Sequence, residues 1–372
     1  MQEGKHIDEL DLVRGFACLC VFSLHSLGAA FQFDQLPWNG LSRDFSVSRS
    51  FLILFPLTYG WAGVPMFFVV SGFCIHLSQS RKKRKSWKGF AIRRFLRIYP
   101  PYLFALLIFF FVWPWGNMSE FSFPRIMQLG SHLSVVHNLE HRTIHGINPS
   151  FWSIAVELQL YAIYPLLLGL VSRVGWRWTL MVTAMIELGV RGYASFHVEL
   201  MDGPLPRWIV SSPFAFWLSW SIGAYLAHCF LEGRRSVLER VPVVAVFGIA
   251  VVAPLFRPTS FFGFLAFAIL TAVLIDRILA DSIRLPTESS LCRHLSRLGV
   301  VSYSFYLIHQ PILNLYPKVT SWLFPSFQLH PLVGFALIVA TLPLYYCLAK
   351  WMFDCIESPS MRFGRRVTQQ QS

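Results

Sequence analysis

The residues best suited to chemistry lie inside apolar stretches, where an ionisable side chain needs a functional or structural reason. The first pair is Arg14 and His25, in LDLVRGFACLCVFSLHS. Their spacing of eleven residues is close to three helical turns, about 16 Å at 1.5 Å per residue, so both project from one helix face. The alternative for His25 is a buried imidazole bonded to a neighbouring carbonyl.

A second pair, Arg94 and Arg97 in RRFLRIYPPY, is spaced i, i+3 on one helix face. Guanidinium groups placed in this way can form bidentate bonds to phosphate oxygens. The alternative is that they extend the preceding basic run as snorkelling anchors.

A carboxylate, Glu157, lies in the apolar segment NPSFWSIAVELQLYAIYP. It is about 10 Å inside the boundary at Ser150, a depth similar to that expected of His25. The two groups are therefore a candidate acid/base pair, in which the carboxylate would hold the tautomer of the ring and raise its basicity. Glu157 could instead be a structural partner for another polar group. Glu187 also lies in an apolar segment, without an assigned role.

Other polar and aromatic residues carry weaker signals. Four loop histidines match no metal motif and are expected in a solvated or interfacial loop: His132, His137, His141 and His145. The spacing of Tyr303, Tyr306 and His309 is more typical of packing than of chemistry, and Gly72 follows Ser71 where small residues permit close helix approach. No metal is expected.

The elements that position these residues are predicted to be membrane helices. Of 372 residues, 55% are apolar and only 14% are charged, against about 25% charged in soluble domains. Continuous apolar runs favour helices over a transmembrane β-barrel. We predict an all-α integral membrane protein, a single domain over 1–372, with ten spans at about 10–30, 52–77, 92–113, 151–171, 178–196, 208–230, 242–256, 260–276, 296–316 and 332–353.

The basic residues predict the topology. With ten spans, 24 of the 32 Lys and Arg fall on one side and 8 on the other, so both termini are expected in the cytoplasm and loop 114–150 outside. The run Arg81–Lys85 is then a topology anchor touching anionic lipid rather than a nucleic-acid site. Residues 1–11 are acidic, so the first span is expected to be retained and not cleaved as a signal peptide. All seven cysteines fall in spans or on the cytoplasmic side, so no disulfide framework is expected.

Taken together, these segments resemble the acyltransferase-3 family of multi-spanning membrane O-acyltransferases. The resemblance covers nearly the full length and rests on five short motifs in the family's order. They are the R-x10-H spacing of Arg14 and His25, PMFFVVSGF at 65–73, R-x-x-R at Arg94 and Arg97, FWSIAVELQLYAIYP at 151–165 and VSYSFYLIHQPI at 301–312. An extra helix and an esterase-like domain found in some members are not expected here.

The resemblance implies transfer of an acyl group, most often acetyl, from acyl-CoA to a sugar hydroxyl of a surface polysaccharide, glycolipid or other glycosylated molecule. It implies that Arg14 and His25 are essential, that Arg94 and Arg97 serve acyl-CoA binding, and that Glu157 belongs to the acceptor side. In the mechanism that we expect, Arg14 is a further candidate contact for the CoA phosphates. His25 would then act as a general base or accept the acyl group transiently. The expected location is a bacterial plasma membrane, with membrane lipid and a glycan as partners and no nucleic acid.

Within the family, an antibiotic or another small glycoside is an alternative acceptor. Two alternatives come from other classes. A secondary transporter of a small polar or glycosylated substrate also has many helices and midplane charges, but often shows inverted repeats, and none is visible. A helical scaffold without chemistry leaves Arg14, His25 and Glu157 without a reason for their cost.

Overall fold

The computed structural model describes residues 8–31, 54–81, 86–111, 123–200, 205–283, 285–326 and 329–369. Most of the predicted basic anchor, residues 82–85, and nearly all of the first predicted external loop lie outside this set. The described residues contain helices and turns and no strand, as predicted. The chain divides into two compact units, which are described separately.

The first unit comprises Met1–Leu77, Ser219–Tyr303 and Leu313–Tyr346. It contains α1 (Asp8–Phe31), a 3₁₀ segment (Phe55–Ala62) and most of α2 (Gly63–Ser80). The chain then contributes α3 (Trp87–Phe111), α4 (Phe123–Leu133), α5 (Phe151–Leu200) and α6 (Arg207–Val210) to the second unit. The first unit resumes within α7 (Trp217–Leu231). It continues with α8 (Val243–Val252), α9 (Gly263–Leu279), α10 (Ser290–Val300), α12 (Tyr316–Leu323), α13 (Pro331–Ala340) and the start of α14 (Leu342–Met352). Between α10 and α12, α11 (Ser302–Leu313) belongs mostly to the second unit.

Helices of the first unit pack with their backbones in contact. A Cβ added at Gly15 of α1 would lie 1.8 Å from the carbonyl oxygen of Leu295, and one at Gly299 of α10 would lie 1.8 Å from that of Asp11. The same holds between α2 and α7, where a Cβ at Gly72 would lie 2.0 Å from the carbonyl oxygen of Trp220. Small residues allow this approach, so the packing role predicted for Gly72 is confirmed.

The second unit comprises Ser78–Leu218, Ser304–Ile312 and Cys347–Ser372. Its C-terminal part is the end of α14, a π-helical turn (Phe353–Glu357) and α15 (Ser358–Gln369). Helix α11 is fixed near the start of α5 by buried polar contacts: the hydroxyls of Ser153 and Tyr306 are 2.8 Å apart, and Asn148 Nδ2 donates to the carbonyl of Leu307 over 2.9 Å. The packing role predicted for Tyr306 is therefore confirmed.

The span boundaries differ from prediction where the backbone breaks. Within the described residues, seven helical segments are long and apolar enough to cross a membrane, and Val243–Leu255 is a shorter apolar helix. One segment, Phe151–His197, includes both the predicted fourth and fifth spans, with a break at Gly175 (φ 77°). The predicted ninth span, 296–316, is instead two helices that end and begin around Val301. The total of ten and the cytoplasmic termini remain predictions.

Candidate active site

The R-x10-H pair lies on α1 in the first unit. This helix is continuous from Asp8 to Phe31, so Arg14 and His25 project from the same face, and both are half-buried. Arg14 Nη1 donates to Asp11 Oδ1 over 2.8 Å, and Nη2 donates to the Sγ of Cys74 on α2 over 3.1 Å. The Asp11 carboxylate is buried and partly neutralises the guanidinium. These two partners fix Arg14 between α1 and α2.

The R-x-x-R pair lies in the first half of α3, in the second unit. Arg94 Nη2 donates a short hydrogen bond to Ser78 Oγ, and its Cζ lies 5.9 Å from the ring centre of Phe90 and 6.0 Å from that of Tyr161. Arg97, one turn later, is half-buried. A hydroxyl and two aromatic faces therefore hold Arg94 in place.

The carboxylate of Glu157 is half-buried on α5 and accepts a hydrogen bond from the hydroxyl of Tyr161, one turn later. Tyr161 is buried, and its ring also contacts Arg94. A single side chain thus connects the arginine motif with the carboxylate. Tyr161 was not among the residues predicted from the sequence, although its i, i+4 spacing from Glu157 places the two side chains on one helix face.

The predicted site residues fall into two groups. Arg14 and His25 lie in the first unit, and Arg94, Arg97 and Glu157 lie in the second. In the first group, α1 places Arg14 and His25 on one face. In the second group, Tyr161 connects Arg94 with Glu157. The pairing of His25 with Glu157 stays a prediction.

Glu187, which had no assigned role, has a structural one. Its side chain is fully buried, and Oε1 lies 2.6 Å from Nη2 of Arg191 in the next turn of α5. Arg191 also donates to the carbonyl of Ala215 over 3.1 Å and lies against the ring of Phe216. The ion pair and its hydrogen bonds compensate the cost of burial.

The expectation of solvated loop histidines is wrong for His132 and His137. Both are fully buried, and their rings stack with centres 3.9 Å apart and 7° between planes. His132 lies in α4, whose end is fixed by the hydroxyl of Tyr102 donating to the carbonyl of His132 over 2.9 Å. Burial lowers the pKa of His132 to about 4 and that of His137 well below its ordinary value. His141 and His145 are exposed, as expected.

Several apolar helices that hold arginines, a histidine and a tyrosine-bound carboxylate are typical of a multi-pass membrane protein. A family described as an acyltransferase domain matches residues 7–350, and the chain belongs to this acyltransferase-3 family. The family and its relatives identify the chain as an O-acyltransferase.

Two characterised relatives are similar along most of the chain. The acyltransferase MdmB of Streptomyces mycarofaciens is 26% identical over 95% of this chain and 92% of its own length. The peptidoglycan O-acetyltransferase OatA of Listeria monocytogenes is 24% identical over 84% of this chain, but the match spans only 54% of that protein. No solved structure matches the chain significantly.

Proposed function

We propose that this chain transfers an acyl group, most simply acetyl, from cytosolic acyl-CoA to a hydroxyl of a surface polysaccharide, glycolipid or related sugar, in a bacterial plasma membrane. The observation that carries the proposal is the connection in the second unit from Arg94 through Tyr161 to Glu157. It joins a side chain of the type that binds phosphate to a carboxylate through one connected set of contacts. The peptidoglycan acetyltransferase among the relatives supports a sugar acceptor.

On the donor side, Arg94 and Arg97 would bind the phosphates of CoA. Guanidinium groups suit phosphate oxygens because they present paired N–H donors. Ser78 and the two aromatic rings hold Arg94 in one position before a ligand binds, which reduces the entropy lost on binding. Arg14 already donates to Asp11 and Cys74, so we assign it mainly to fixing α1 and only secondarily to phosphate contact.

At the reacting centre, His25 would take the proton of the acceptor hydroxyl as a general base. The oxygen then attacks the thioester carbonyl, the C–S bond breaks, and CoA leaves as a thiol after taking up a proton. Alternatively, His25 attacks first, giving an acyl-imidazole and CoA, and the hydroxyl attacks in a second step. Glu157 would lie on the acceptor side, oriented by Tyr161. Neither route requires a metal.

The proposal is tested by CoA release from acetyl-CoA by the purified protein. We expect His25→Ala to lower turnover by about a hundredfold or more, as for loss of a general base, and Arg97→Ala to raise the KM for acetyl-CoA. Arg173→Ala, an exposed residue of α5, is the matched control and should behave as wild type. Full turnover by both site variants, with folding unchanged, would reject these roles.

A rapid-quench experiment separates the two routes. Labelled acetyl-CoA mixed with the protein in the absence of acceptor should leave label on His25 only if an acyl-imidazole forms. Label that persists in His25→Ala would exclude that residue as the acceptor of the acyl group.

A further inference from the structure

The C-terminal helix α15 packs against the first half of α3 in the second unit. A Cβ added at Gly364 would lie 3.3 Å from two side-chain atoms of Leu96 and 3.7 Å from the Cα of Arg93. The π-helical turn before α15 carries Glu357, which is buried and accepts a 2.7 Å hydrogen bond from Ser304 Oγ. A close helix contact and a buried polar contact therefore fix the orientation of α15.

This orientation leaves a basic face uncovered. At about 100° per residue, Arg362 and Arg366 lie opposite Gly364, and Arg365 lies at the edge of that face. All three arginines are exposed, and Arg362 Nη2 donates to Ser358 Oγ over 3.2 Å. Phe363, between them in sequence, is 58% exposed. The uncovered face therefore combines positive charge with an apolar ring.

The positive charge of this face is not balanced within α15 itself. Helix α15 contains no acidic residue, and neither does α3, against which it packs. In the turn before α15, Asp354 pairs with Lys350, and the Glu357 carboxylate is buried. The three exposed arginines of α15 therefore give this face a positive charge: Arg362, Arg365 and Arg366.

We propose that the exposed face of α15 is a docking surface for the anionic lipid headgroups of the membrane that the chain spans. Helix α15 follows the apolar helix α14 after a single π-helical turn, which is the position along the chain expected of an interfacial helix. Exposed arginines offer paired donors to headgroup phosphates. Phe363 on α15 and Trp87 at the start of α3, 45% exposed, are rings of the type found at headgroup level.

The occupant is the lipid rather than the acyl donor, because Arg362 and Arg366 point away from the helix that carries the R-x-x-R motif. The surface is therefore separate from the donor residues of the proposed function and does not depend on that function. It predicts that anionic lipid stabilises the protein whether or not acyl-CoA is present.

The test uses the full chain in neutral detergent, titrated with phosphatidylglycerol and, separately, with phosphatidylcholine, while thermal unfolding is recorded. At about fivefold per basic residue, Arg365→Gln/Arg366→Gln should raise the phosphatidylglycerol concentration for half-maximal stabilisation by about 25-fold. Arg173→Gln/Arg177→Gln removes the same charge from exposed positions on α5 and should change it by less than about threefold. Arg365→Lys/Arg366→Lys should retain most of the effect, since lysine still offers a point charge.

Binding of labelled acetyl-CoA to the same preparations identifies the occupant. Unchanged acetyl-CoA affinity with the predicted loss of phosphatidylglycerol response supports the proposal. Weaker acetyl-CoA binding with an intact lipid response would overturn it and assign the arginines to the donor. An equal change in both glutamine variants, or none in either, would also overturn it.

Discussion

Acidification should loosen the segment 128–148 from the rest of the second unit, because the stacked histidines have no room for a charge. His132 is fully buried, with Nδ1 2.7 Å from the carbonyl oxygen of Gln128. Among the described residues, its Nε2 has no hydrogen-bond partner. A proton on either ring would place a cation against the face of the other.

The magnitude follows from the pKa of His132, which burial lowers from 6.5 to about 4. Between these values the opened segment binds more protons than the native one, so stability falls as pH falls. At about 1.4 kcal/mol per pH unit the full effect is about 3 kcal/mol, of which about 2 kcal/mol is lost by pH 5. The lowered pKa of His137 acts in the same direction.

Hydrogen exchange measured by mass spectrometry in detergent, on peptides from 123–148, provides the assay. After correction for intrinsic rates, about 2 kcal/mol corresponds to about 30-fold less protection at pH 5 than at pH 7. His132→Phe/His137→Phe keeps two stacked rings and should be insensitive to pH, whereas His141→Phe, at an exposed position, should behave as wild type. Equal protection of wild type at both pH values, or pH dependence retained by the double variant, would refute the reasoning.

Three further substitutions test other contacts. Tyr161→Phe removes a hydrogen bond to a carboxylate, which is worth about 1.5–3 kcal/mol. It should therefore lower kcat by about ten- to a hundredfold in the acetyl-CoA assay while the protein stays folded. Unchanged kcat would exclude a positioning role for Tyr161. Glu187→Gln leaves Arg191 buried without its counter-charge and should cost about 3–5 kcal/mol, seen as a lower Tm, whereas an unchanged Tm would show that the pair is not needed. Gly299→Leu places a side chain where a Cβ would already meet the α1 backbone, so size-exclusion profiles should show little folded protein. Gly169→Ala, at a position with open space, is the control and should give a normal profile. A normal profile for Gly299→Leu would contradict the close helix contact.

Much of the helical framework was predictable because it follows from hydropathy alone. The first span was predicted at 10–30 and is observed as Asp8–Phe31. Hydropathy does not report the backbone path, however, so it missed the break at Val301. On the two sides of Gly175, hydropathy predicted separate spans at 151–171 and 178–196, and the backbone breaks at that residue.

The partners of the site residues were predictable only when they lie on the same helix. Asp11, Tyr161 and Arg191 are three or four residues from Arg14, Glu157 and Glu187, so their contacts follow from helical geometry. The contact of Arg14 with Cys74 depends on which helices pack together, and a single sequence does not specify that.

The stacked histidines show a second reason why some contacts could not be predicted from the sequence. Between them, Val135 adopts φ 57°, a conformation that β-branched residues rarely take, and its carbonyl accepts a 3.0 Å hydrogen bond from Gln159 of α5. Tertiary contacts therefore impose the turn that brings the rings together. No local pattern in the sequence predicted it.

The most direct test of the central claim is transfer of label from radiolabelled acetyl-CoA to glycan in membrane vesicles that contain the protein. We predict alkali-labile label, as expected of an O-acetyl ester, on sugar-bearing material with wild type, and a loss of about a hundredfold or more with His25→Ala. If purified wild-type protein binds neither acetyl-CoA nor a longer acyl-CoA, and no label reaches any glycan, the donor and acceptor proposed for this acyltransferase are wrong.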